Sequence, residues 1–145
     1  MVAAALAGFL LAVLWFDLMF DVQAWRAPDG KVSEAALSSI STYYRRVTID
    51  ASPMNRLVAA AMLALLAALA FELVEHVNVV TLGSLGLAVS AIGLAATRVV
   101  RRAKRLGRGQ IAPDDRSRVA RAILFDHVYC FGAIAALLIL QVAAT

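Results

Sequence analysis

Four side chains able to move a proton or ligate a metal stand inside otherwise apolar stretches: Asp17 and Asp21 in WFDLMFDVQAW, Asp126 and His127 in RAILFDHVYC. The two N-terminal aspartates are four residues apart, which stacks their carboxylates one turn above the other on a single helix face. Trp25 and Arg26 mark a polar boundary, and Asp17 lies eight residues inside it, roughly 12 Å at 1.5 Å per residue. Asp126 lies eight residues inside Arg118 by the same measure. Carboxylates from the first and last apolar segments are therefore expected at a similar depth, with His127 beside them.

An ionisable group in a bilayer core costs about 2.5–3.5 kcal/mol on insertion scales, so such groups turn inward and find partners. Three kinds of partner suit this set. Asp17, Asp21, Asp126 and His127 together offer hard oxygen ligands and one imidazole, a donor set for a divalent cation such as Mg²⁺, Mn²⁺, Zn²⁺ or Fe²⁺. The same four residues are candidate catalytic groups, exchanging protons with the polar head of a lipophilic molecule that Tyr44, Arg45, Arg46, Asn55 and Arg56 would grip. The third reading involves no chemistry: Arg45, Arg46, Arg56 or Arg121 pairs with the aspartates and pins a surface helix to the spans. Phe16, Met19, Phe20, Phe125 and Tyr129 read as packing around this site.

The elements that must position these groups follow from hydropathy. The chain has 145 residues, 62% of them hydrophobic, against roughly 45–50% apolar residues in an average soluble domain. Its apolar residues gather in long runs, and LVAAAMLALLAALAF (57–71) is apolar on every face, as a helix surrounded by lipid or by other helices must be. The expected fold is an all-α integral membrane protein: a four-helix transmembrane bundle with spans at about 2–23, 53–75, 79–100 and 117–143. The first run lacks a basic leader and a small-residue cleavage site, so it reads as a retained span rather than a secretory signal. Between the first two spans, SEAALSSISTYYRRV places Leu37, Ile40, Tyr44 and Val47 at helical spacing after Ser33, a good cap. This predicts an amphipathic helix at about 33–49, lying at the cytoplasmic membrane surface after an APDG turn (27–30). Ser52 and Pro53 read as the cap and first residue of the second span.

Charge supplies the orientation. Of the 14 Lys and Arg residues, five lie between the first span and the opening turn of the second (Arg26, Lys31, Arg45, Arg46, Arg56) and nine run from Arg98 to Arg121, while the EHVN turn between spans two and three has none. Positive loops stay inside, so loops one and three are expected in the cytoplasm and both termini outside. The basic stretch at about 101–116 then meets membrane lipids rather than nucleic acid, and Pro113 ends it, with Asp114, Asp115 or Ser117 available to cap the last span.

Glu72, Glu75 and His76 fit a solvated external turn. Cys130 is a lone thiol in an apolar segment, a packing residue. Small residues Gly83, Ser84, Gly86, Ser90 and Gly93 allow close helix approach, within one chain or in a homo-oligomer.

Several functions are disfavoured. His76 and His127 sit near opposite membrane faces and cannot share one haem iron, and no C-x-x-C-H, nucleotide-binding glycine loop or serine-hydrolase elbow occurs. A pore needs polar groups at several depths, whereas between Asp17 and Glu72 there is little beyond Thr81, Ser84, Ser90 and Gln141. The sequence thus favours a one-sided cytoplasmic-leaflet site that binds or modifies a lipophile with a polar head. An oligomeric ion channel or proton-coupled transporter is the alternative, and a non-catalytic accessory subunit is the third reading.

Overall fold

The computed structural model describes residues 1–25 and 31–144, apart from the side chain of Ser52. Among these the secondary structure is helical, with no strand. Four helical segments are long and apolar enough to cross a membrane: Val2–Ala24, Pro53–Glu75, Val79–Gly107 and Pro113–Ala143. The helices are α1 (Val2–Asp21), α2 (Glu34–Arg45), α3 (Ser52–Glu75), α4 (Val79–Leu94), α5 (Val100–Gly107) and α6 (Pro113–Ala143). Arg26 and the expected APDG turn lie outside the described residues.

The long helices meet through small residues and branched aliphatics. Ala3, Ala7 and Leu10 of α1, Leu65 and Leu69 of α3, Ala88 and Ala91 of α4, and Ile134 and Leu137 of α6 form one buried cluster. Alanine at the contacts brings backbones close, and dispersion then accumulates over many short contacts. Cys130 belongs to this cluster, its Sγ 3.5 Å from the carbonyl oxygen of Ala91, as expected of a packing residue.

A second cluster forms at the other end of the molecule. Leu37, Ile40 and Tyr44 of α2 are buried against Val99, Ala103 and Leu106, and against Ala120, Ile123 and Leu124 of α6. The apolar face of α2 therefore packs on protein. Burying an aliphatic side chain of this kind is worth about 1.5–3 kcal/mol, enough to hold a helix of 12 residues that would be marginal alone. Ser33 caps it, accepting from the backbone N–H of Ala36 at 3.3 Å. The middle of α2 and the residue before its cap are tied to the spans: Gln23 Nε2 donates to Ser39 Oγ at 3.3 Å, and the Val32 N–H donates to Ser117 Oγ at 3.1 Å.

Three boundaries differ from the sequence reading. The stretch expected as a basic loop is helical as far as Gly107, because α4 continues into α5 through one wide turn (Ala95–Val99) with no break in helical structure. Arginine and lysine are good helix formers, so charge alone did not end the helix. The last helix starts at Pro113, a turn early, with Ala112 in the cap position and no side-chain cap. Asp114 and Asp115 sit in its first turn, where they favour the helix dipole, and Ser117 serves Val32 instead. The second span begins at Ser52 with Ala51 in the cap position. At the opposite end, Asn78 and Thr81 form a reciprocal capping box that starts α4, while Glu75 and His76 are exposed.

Candidate functional site

At the meeting point of α1, α2 and α6, His127 is held between two carboxylates. Its Nδ1 lies 2.6 Å from Asp21 Oδ2, and its Nε2 lies 3.8 Å from Asp17 Oδ2. The i, i+4 spacing puts both aspartates on one face of α1, one toward each ring nitrogen. Each carboxylate also accepts from a tyrosine of α2: Tyr44 Oη donates to Asp21 Oδ1 at 2.6 Å, and Tyr43 Oη donates to Asp17 Oδ1 at 2.7 Å. The tyrosines are adjacent, so on a helix they diverge by about 100° and reach two different carboxylates. Tyr43 is stacked on Phe20, ring centroids 4.0 Å apart.

Burial divides the network into a dry half and a wetter half. Asp21 is 0% exposed and Tyr44 2%, whereas the side chain of Asp17 retains 16%. Burial, then the nearby aspartates, push the phenols of Tyr43 and Tyr44 well above the ordinary tyrosine range, so both stay protonated donors. The contact of Nδ1 with Asp21 orients the imidazole so that Nε2 faces Asp17. The 3.8 Å between Nε2 and Asp17 Oδ2 exceeds a direct hydrogen bond.

Asp126 is not part of this arrangement. It adjoins His127 in sequence and therefore points about 100° away around α6, where Arg102 Nη1 of α5 donates to its Oδ2 at 2.5 Å. The expectation that all four acid and imidazole groups share one site is corrected on this point. Among the described residues no three His, Cys, Asp or Glu side chains form a group suited to a metal ion, so the four-ligand cation set finds no support in the geometry.

The arginines expected to neutralise the aspartates do not reach them. No ion pair joins Arg45, Arg46, Arg56 or Arg121 to Asp17, Asp21 or Asp126 among the described residues; Arg45 approaches Asp50 at 4.0 Å, both exposed. Of the residues expected to hold a headgroup, Tyr44 is inside the network, Asn55 donates to the backbone of Thr48 at 3.3 Å, and Arg45, Arg46 and Arg56 lie at the surface. The aromatic packing shell is also corrected: Phe16, Met19, Phe125 and Tyr129 are all more than half exposed, and only Phe20 packs on the network through Tyr43.

Two contributors escaped the sequence reading. Tyr43 carried a signal, standing next to Tyr44 at the end of an amphipathic helix. Arg102 carried none, since it is one of nine basic residues in its segment and only the tertiary approach of α5 to α6 selects it. No known family, characterised protein or solved structure matches the chain.

Proposed function

We propose that this is a membrane-embedded acid–base protein whose Asp21–His127–Asp17 centre exchanges a proton with the polar head of a lipophilic molecule in the cytoplasmic leaflet. The observation that carries the reading is the pairing of His127 Nδ1 with fully buried Asp21 while Nε2 is directed to partly exposed Asp17. That is the arrangement of an oriented imidazole base with a second carboxylate beside the transferred proton. Tyr43 and Tyr44 fix the carboxylates, and α2 lies at the cytoplasmic surface as the site's cover. The distribution of lysine and arginine supports an orientation with both termini outside and the α1–α3 and α5–α6 connections inside.

Mass spectrometry of lipid extracts from membranes carrying the wild type, Asp17→Asn or His127→Asn tests the proposal. Asparagine at 127 places an N–H donor near the position of Nδ1 and removes Nε2, so it separates holding Asp21 from accepting a proton. The expected result is one polar-headed lipophile whose amount differs between the wild type and both variants, with the variants folded. Identical extracts from folded variants overturn the proposal.

A second reading, that the network only fastens α2 to α1 and α6, is favoured by one observation: no buried side-chain N or O among the described residues lacks a hydrogen-bond partner. It predicts lowered thermal stability in both variants and unchanged extracts.

A further inference from the structure

The wall that α2 shares with α5 bounds a groove of about 430 Å³ whose lining includes no residue of the Asp–His network, within the ~300–1,000 Å³ of small-molecule sites. Arg45, Arg108 and Arg116 line it together with the hydroxyl-bearing Ser41 and Thr42, against a single carboxylate, Glu34. Guanidinium groups present planar forks of N–H donors that match phosphate oxygens, and hydroxyls add further donors. Three such charges, from α2, the end of α5 and the first turn of α6, line one groove and make its lining strongly cationic. Among the described residues no carboxylate lies in ion-pair range of Arg108 or Arg116, and Arg45 has only the exposed Asp50 at 4.0 Å.

The height of the groove fits a lipid. The helical segment Val79–Gly107 has 29 residues, about 43 Å at 1.5 Å per residue, against a hydrocarbon core of about 30 Å. Its C-terminal end, where Gly107 and Arg108 line the groove, therefore projects into the headgroup layer. The groove is also a built feature. A Cβ on Gly107 would stand 2.7 Å from the backbone nitrogen of Arg45, so glycine is what lets α5 and α2 close to this spacing.

We propose that the groove between α2, the end of α5 and the start of α6 binds a phosphate group, that of an anionic lipid headgroup or of a soluble phosphate compound. The site is independent of the acid–base centre and needs no chemistry there.

The test uses the full chain in a non-ionic detergent micelle. Binding of short-chain phosphatidylglycerol, short-chain phosphatidylcholine and inorganic phosphate is measured by native mass spectrometry and by thermal shift. The expected result is saturable binding of phosphatidylglycerol, at least tenfold weaker in an Arg108→Ala/Arg116→Ala variant. An Arg98→Ala/Arg101→Ala variant, which removes the same charge from outside the groove lining, should bind as the wild type does. Equal binding of inorganic phosphate supports the groove and assigns it to a soluble compound; preference for phosphatidylglycerol assigns the headgroup. Equal weakening in the two double variants, unchanged binding in Arg108→Ala/Arg116→Ala, or no saturable binding of either anionic probe overturns the proposal. The thermal midpoint of each ligand-free variant, read in the same experiment, shows whether lost binding comes from lost fold; if Arg108→Ala/Arg116→Ala is destabilised, Arg108→Lys/Arg116→Lys, which keeps charge and loses the fork, must still weaken binding.

Discussion

Asp21 and Asp17 make the same kind of bond to neighbouring tyrosines, yet the two bonds differ in worth because their surroundings differ. Removing the Tyr44 hydroxyl leaves a fully buried carboxylate oxygen without its donor, and Tyr44→Phe is expected to destabilise by about 1–3 kcal/mol. Tyr43→Phe should cost less, since Asp17 retains contact with its surroundings; thermal unfolding in detergent gives the order, and the reverse order would contradict this burial argument. The phenols also set an alkaline limit. Their folded pKa values lie above the ordinary value of 10, so the stability they contribute is complete below about pH 10 and is lost as pH rises toward the folded values. At pH about 11, adding denaturant should release a jump in tyrosinate absorbance, because phenols protonated in the fold ionise in the unfolded chain; no jump would mean that neither phenol is held. At this scale the sequence showed which residue types to watch, since charged groups in apolar runs demand partners. It could not show that His127 rather than Asp126 faces the aspartates, because adjacent residues on a helix differ by a rotation that only packing resolves.

Among the elements, α2 was readable because its apolar positions recur at helical spacing behind a capping serine. The spans were readable because their apolar runs have the length of a bilayer. What stayed hidden was α5, whose charged sequence has no run of apolar residues to announce a helix and whose buried face is only Ala103 and Leu106. Its docking on α2 rests on Gly107, where a methyl group would stand 2.7 Å from the Arg45 nitrogen and 2.9 Å from the Arg45 Cα. Backbone atoms cannot swing aside as a side chain can, so Gly107→Ala must part the two helices, at an expected cost of about 1–3 kcal/mol. Gly86 and Gly93 provide the contrast, with nothing within 4 Å of an added Cβ. Alanine there should be neutral or raise stability by up to about 1 kcal/mol through helix propensity. Thermal midpoints of the three variants compare the sites directly, and equal effects at all three would remove the case for a close α2–α5 contact.

For the molecule as a whole, the decisive contrast is between a polar end and an apolar remainder. Beyond His127, the described helices meet through Ala7, Leu10, Leu65, Leu69, Ala133, Ile134 and Leu137, and the few polar side chains in that region are engaged locally. Gln141 Nε2 donates to Ser84 Oγ at 3.3 Å, Tyr129 Oη donates to Ser90 Oγ at 3.1 Å, and Thr81 belongs to the cap of α4. A single chain built this way gives a proton leaving Asp17 no successive partner across the hydrocarbon, and transferring a bare charge into such a medium costs tens of kcal/mol by Born solvation. Liposomes containing the protein should accordingly hold an imposed pH gradient as long as protein-free liposomes do, followed with an entrapped pH-sensitive dye. Flux that exceeds the lipid background and stops in Asp126→Asn or Asp17→Asn would mean that several copies assemble a wet path that the single chain lacks. The proposed acid–base centre would then be one station of a proton-coupled pathway rather than the closed end of a one-sided site.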